Sequence, residues 1–155
     1  MASLIRRILS HDREFDEHMK RHRQALLAPD YASFESAYGQ AAPPVLRNLY
    51  SFGELLFPTP MQIVVSENMG LGIERFLAMS EARMNRTIRT YGSRPVYAFA
   101  EDPDCNDLLI RIDQAAPTVV AIGYTSGRSP DIEELEGLHL ETLVQKLAAG
   151  EAEEL

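Results

Sequence analysis

The apolar positions of the chain follow a helical period in the first half and short β-branched runs in the second. Over residues 4–27, Ile5, Ile8, Leu9, Phe15, Met19, Leu26 and Leu27 recur at helical spacing, interrupted by Asp12 and Asp16, and predict an amphipathic helix. Pro29 ends it, because the residue before a proline avoids the helical region. Asp30 or Ser33 can cap a short second helix through Phe34 and Tyr38, which Gly39 stops. Pro43 and Pro44 open a third helix, since a proline in a first turn has no needed N–H to lose. Val45, Leu46, Leu49 and Phe52 form its stripe. Residues 72–90 predict a fourth helix, capped near Ser66 or Asn68, with Ile73, Phe76, Leu77, Met84 and Ile88 on one side. Arg75, Arg83, Arg86 and Arg89 fall on the other side and read as a solvated back before they read as a docking surface.

Residues 61–65, 96–100, 108–113 and 119–124 predict strands, being short and rich in β-branched or aromatic residues. Residues 103–107 and 114–118 connect the last three and are short enough for hairpins, so an antiparallel meander follows. Residues 126–130 read as a loop, and residues 138–148 as a terminal helix stopped by Gly150. Residues 151–155 read as a frayed or disordered tail. Strands clustered in the second half define an α+β fold, an antiparallel meander of about four strands packed with helices. The expected organisation is an N-terminal helix over residues 1–29, one α+β domain over residues 30–150 and the tail over residues 151–155.

Composition adds limits to this picture. At 155 residues and 45% hydrophobic, the chain can bury a core without a disulfide or metal staple. Cys105 is the only cysteine, which suits a reducing compartment. Arg6 and Arg7 precede no long apolar run, because His11, Asp12, Arg13 and Glu14 come next, so no signal peptide is read. No stretch reaches the roughly 20 apolar residues of a membrane span, and the expectation is a cytoplasmic protein with no membrane partner. The net charge is −8, unevenly spread: residues 101–113 hold five acids and one arginine, residues 129–155 eight acids and one lysine. Such a field repels phosphate backbones, so no nucleic-acid ligand is expected, and it attracts a basic partner.

Each candidate chemistry is incomplete. His18 and His22, four apart beside His11, with Glu14 four before His18, could offer metal ligands. They lack the His-Glu-x-x-His base and a nearby cysteine, so boundary histidines are the better reading. Asp102, Asp104 and Asn106 alternate as in a calcium loop, but the required glycine and distal glutamate are missing. Ser126 has no nucleophile elbow around it, and Gly70 with Gly72 is too short for a dinucleotide fingerprint. No cofactor, metal or catalytic residue is assigned.

Two segments resemble a known family. Phe34-Glu35-Ser36-Ala37-Tyr38-Gly39, followed by Pro43-Pro44-Val45-Leu46-Arg47-Asn48-Leu49-Tyr50, resembles an N-terminal signature of the SUKH superfamily, the group related to fungal cell-wall synthesis regulators. Tyr97-Ala98-Phe99-Ala100-Glu101-Asp102, then Asn106-Asp107-Leu108-Leu109-Ile110-Arg111-Ile112-Asp113, resembles its acidic-turn hairpin. Many members carry glycine ahead of the Asp/Asn of that turn, where this chain has Cys105-Asn106 before Asp107. The resemblance spans residues 31–124 in pieces and leaves the N-terminal helix as an addition to the core. It implies a non-enzymatic binding domain of the SUKH-like fold, most specifically an immunity protein that neutralises a toxin.

The expectation is therefore a protein-binding module facing a protein partner such as a basic toxin domain. Glu101, Asp102, Asp104 and Asp107 are the expected partner-contacting residues. A regulatory or scaffold protein of the same fold and a small hydrolase using an Asp/His pair are the alternatives, and the oligomeric state stays open.

Overall fold

A computed structural model describes residues 2–57, 60–66, 69–79, 90–91, 94–123 and 131–154. The fold is α+β, with four helices and two antiparallel sheets among the described residues. Helix α1 spans Ala2–Leu27, α2 Tyr31–Tyr38 and α3 Pro44–Ser51, and a 3₁₀ helix follows at Gly53–Leu56. Strands β1 (Met61–Ser66), β2 (Met69–Ile73), β3 (Arg75–Phe76), β4 (Thr90–Tyr91) and β5 (Arg94–Glu101) come next. Then come β6 (Asp107–Arg111), β7 (Thr118–Gly123), β8 (Asp131–His139), α4 (Leu140–Ala148) and β9 (Ala152–Glu154).

The helix boundaries follow local chemistry. Asp30 caps α2 by accepting from the Ser33 amide at 3.0 Å and the Ser33 hydroxyl at 2.7 Å. These two bonds, the side-chain one first, hold the Asp30 carboxyl below its ordinary range. Gly39 closes the same helix at φ 70°, a left-handed conformation that glycine adopts without penalty. Pro43 and Pro44 start α3, whose Leu46, Leu49 and Tyr50 are buried.

One sheet has the order β2-β1-β9, and the other runs β3-β5-β6-β7-β8, with β4 paired to β5. Strands β5 to β8 form the meander, all neighbours antiparallel. Strands β5, β6 and β7 correspond to the runs at residues 96–100, 108–113 and 119–124, and β1 to the run at residues 61–65. The register of β5 against β6 slips between Ala98 and Ala100, leaving Phe99 as the extra residue of a bulge. That slip turns Phe99 and Ala100 both into the main core with Tyr97.

The core lies between the helices and the two sheets. Phe34, Leu46, Leu49, Leu140 and Leu143 meet Ile63 and Ile73 of the small sheet and Phe99, Leu108 and Ile110 of the large one. Each such side chain contributes about 1.5–3 kcal/mol by leaving water. The opposite face of the large sheet holds a separate buried cluster, Leu77, Val96, Ala98, Leu109, Val120 and Ile122. Both faces of the meander are thus apolar, which is why β5, β6 and β7 read as continuous apolar runs rather than alternating ones.

Several expectations are corrected. The predicted fourth helix is not present over residues 72–79, where Gly72 and Ile73 end β2 and Arg75 and Phe76 form β3. A short apolar run fits either period, and here pairing to β1 and β5 decides it. Arg83, Arg86 and Arg89, with Met84 and Ile88, lie outside the described residues, as do Asn68 and the loop at residues 126–130. The predicted terminal helix starts two residues later than expected, because Leu138 and His139 still belong to β8. Asp131–His139 as a whole was unforeseen: Asp131, Glu133, Glu134 and Glu136 crowd a strand that carries no continuous apolar signal. The tail read as disordered instead forms β9, whose Ala152, Glu153 and Glu154 pair with Ile63, Gln62 and Met61. No helix among the described residues is long and apolar enough to cross a membrane.

Candidate functional site

The acidic hairpin is the link between β5 and β6. The Asp102 amide donates to the Asn106 carbonyl at 3.0 Å, and the Cys105 amide to the Asp102 carbonyl at 3.1 Å. This is a turn with Pro103 at its second position, where a fixed φ is favourable. Cys105 then takes φ 65°, the left-handed conformation that closes a three-residue hairpin loop.

The four predicted contact residues sit in different environments. Asp102 turns back on the loop: its Oδ1 accepts from the amides of Asp104 and Asn106, at 3.0 and 2.8 Å, and its Oδ2 from the Asn106 side chain at 2.8 Å. Those bonds freeze the tip by satisfying its N–H groups locally. Glu101 is half-buried and accepts from Arg75 Nε at 2.8 Å, tying β5 to β3. Asp107 is 2% exposed, so burial removes it from the surface a partner could touch. Asp104 is exposed, at the apex. The sequence shows the acidic run but not this division, which depends on strand pairing across Glu101 and Asp107.

The hairpin tip also rests on the small sheet. A Cβ added at Gly72 would stand 3.1 Å from Cγ and Cδ of Pro103, so the glycine lets the turn lie directly on β2. Two sheets and a turn thus fix the position of Asp104.

A groove of about 220 Å³ opens on the other side of Arg75. Met19, His22 and Leu26 of α1 form one wall, Leu56 and Phe57 another, and Glu74 with Arg75 the end. His22 packs on Phe57 with ring centroids 6.3 Å apart, and the Arg23 guanidinium stands 4.7 Å from the same ring while pairing with Glu54. His18 and His22 therefore share a groove, but no group of three or more metal-ligating side chains stands together among the described residues. This groove escaped sequence reading because Glu74 and Arg75 were placed on a helix there. His139 meets the Ala116 carbonyl through Nδ1 at 3.1 Å.

Comparison with protein-family models, with curated proteins and with solved structures finds no match for this chain.

Proposed function

We propose that this chain is a non-enzymatic protein-binding module and, most specifically, an immunity protein that neutralises a basic toxin domain. The observation that carries the reading is the acidic hairpin: a turn locked by Asp102 that holds the Asp104 carboxylate out in solvent. A rigid tip loses little conformational entropy on binding, so more of its contact energy appears as affinity. The net charge of −8 adds long-range attraction for a basic partner and raises its association rate. The resemblance to the SUKH superfamily in the segments around Phe34, Tyr50 and Tyr97 supplies the toxin-neutralising role. Asp104, with the outer edges of Glu101 and Asp102, forms the contact surface.

The test is capture of a partner from the native cell with the whole chain as bait, followed by affinity measurement with Asp104→Lys. The expected result is a toxin encoded next to this gene, bound at least roughly tenfold more weakly by the variant, mostly through slower association. Capture of a non-toxin partner would transfer the reading to a regulatory or scaffold protein. Absence of any partner, together with absence of a neighbouring toxin gene, would overturn it.

A further inference from the structure

The small sheet takes all its charge from its last strand. Strands β1 and β2 contain no Asp, Glu, Lys or Arg, whereas β9 contains Glu153 and Glu154. The order β2-β1-β9 makes β1 a middle strand only through β9, which pairs with Met61, Gln62 and Ile63. Without β9, β1 is an edge: short, β-branched and uncharged, with Val64 already 47% exposed. A bare row of N–H and C=O groups pairs with any strand that reaches it, so edges are kept short, charged or covered. Strand β9 covers this one with three residues, two of them acids.

The hold of β9 is local and light. At the end of α4 the Gly150 amide donates to the Leu147 carbonyl at 3.2 Å and the Glu151 amide to the Lys146 carbonyl at 3.0 Å, with Gly150 at φ 71°. Lys146 Nζ pairs with Glu151 at 2.8 Å. This turn aims the chain along β1. Beyond it Ala152 packs against the core, while Glu153 is exposed. Strand β1 pairs with β2 over five positions and with β9 over three, so β9 is the strand of this sheet that opens first.

The edge under β9 is complementary to itself. Antiparallel pairing of two β1 strands about a two-fold axis at Ile63 sets Met61 opposite Val65 and Gln62 opposite Val64. Both pairs keep to one side of the sheet, and no like charges meet. A basic or an acidic strand would find no counter-charge on β1.

We infer that β9 is a guard strand, and that the β1 edge it covers pairs with the β1 edge of a second copy of this chain when β9 detaches. The contact is isologous and independent of the hairpin surface, so it stands or falls separately from the toxin-neutralising role.

The experiment is sedimentation equilibrium on the full chain and its variants from micromolar to about 1 mM, a range that detects even weak pairing. In Ala152→Pro with Glu153→Pro, one of two successive N–H groups must face β1, so the pair of prolines removes a ladder donor. This variant should self-associate at least about tenfold more tightly than the parent, with unchanged near-ultraviolet circular dichroism. Gly150→Val strains the turn instead, at a position where a Cβ meets nothing within 4 Å, and should move pairing the same way. Adding Val64→Lys to either variant puts a charge on the opened edge and should return pairing to the parent's level. Folded variants that pair no better than the parent overturn the inference, as does pairing that Val64→Lys leaves intact. So does hydrogen exchange in the parent that finds the β1–β9 amides as protected as those between β5 and β6.

Discussion

The hydroxyls of Tyr50 and Tyr97 lie 2.5 Å apart inside the core, and Tyr50 also donates to the Leu77 carbonyl at 2.7 Å. A hydroxyl has one proton, so Tyr97 must be the donor to Tyr50. The chain of bonds runs from β5 through α3 to the segment after β3. Around it, Phe34 packs on Tyr38 and Tyr97 at 4.5 and 5.5 Å, and Tyr38 donates to the Val96 carbonyl. Helices α2 and α3 and strand β5 therefore meet in one aromatic cluster.

This ordering of donors makes the two tyrosines unequal. Tyr50→Phe removes both the proton on the Leu77 carbonyl and the acceptor for Tyr97, and should cost about 1–3 kcal/mol in chemical denaturation. Tyr97→Phe leaves the bond from Tyr50 to Leu77 intact and should cost about 0.5–1.5 kcal/mol. The double variant should be clearly less damaged than the sum, because the pair is removed together. Additive losses would show that the two hydroxyls are not coupled.

The same region shows where sequence reading succeeds. Capping chemistry at Asp30, Gly39 and Pro43 placed α2 and α3, because those signals act within one turn. Strands β5, β6 and β7 were readable because both their faces are buried. Residues 72–79 were not, since Ile73, Phe76 and Leu77 satisfy a helical spacing as well as an extended one, and only pairing to β1 and β5 separates them. Strand β8 was hidden by its acids, and β9 exists only because β1 offers it an edge. At the hairpin, acidity was evident but its roles were not: Asp107 is buried and Asp102 serves the turn.

Cys105 sits at φ 65° in that turn. A side chain in the left-handed region costs about 1–2 kcal/mol, while glycine costs about 0.5–1 kcal/mol in unfolded-state entropy. The first effect is larger, so Cys105→Gly should raise stability by up to about 1 kcal/mol. Cys105→Val should lower it, since branching at Cβ sharpens the clash. Thermal denaturation of the three proteins reads this directly, and a destabilised glycine variant would contradict the strain argument.

Gly72 tests whether β2 props the hairpin. Replacing glycine by alanine in a strand ordinarily gains about 0.5–1 kcal/mol. Here the new methyl would press on the rigid Pro103 ring at 3.1 Å, and overpacking of that kind costs about 1–3 kcal/mol. Gly72→Ala should therefore be net destabilising and should shift the amide resonances of Asp104 and Cys105. A stabilised variant with unmoved resonances would mean that the turn yields freely.

Arg75 and Glu101 join β3 to β5 across a partly solvated pair, with side chains 34% and 15% exposed. Such a pair lies between a surface ion pair and a buried one, and Arg75→Met should cost about 1–2 kcal/mol. Glu101→Gln should cost less, because a neutral amide can still accept from Arg75 Nε. Salt should weaken the native pair only slightly, which distinguishes it from the exposed Arg23–Glu54 pair.

Asp30 gives the fold a defined dependence on pH. Its carboxyl is held below the ordinary value of 3.8, first by the Ser33 hydroxyl and then by the Ser33 amide. A lowered value in the folded state means that the unfolded chain takes up the proton first as the solution is acidified. The cap's contribution is thus complete above pH 3.8 and disappears as the pH falls through the lower folded-state value. Asp30→Ala should be less stable than the parent at neutral pH, with the gap narrowing below pH 3.8. Asp30→Asn keeps an acceptor for the Ser33 amide and should lose less, with no titration of its own. Ser33→Ala removes the first cause of the shift, so in that variant the Asp30 value measured by NMR should move up toward 3.8. A gap between parent and Asp30→Ala that stays constant through this acid range would show that the capping bonds do not depend on the charge.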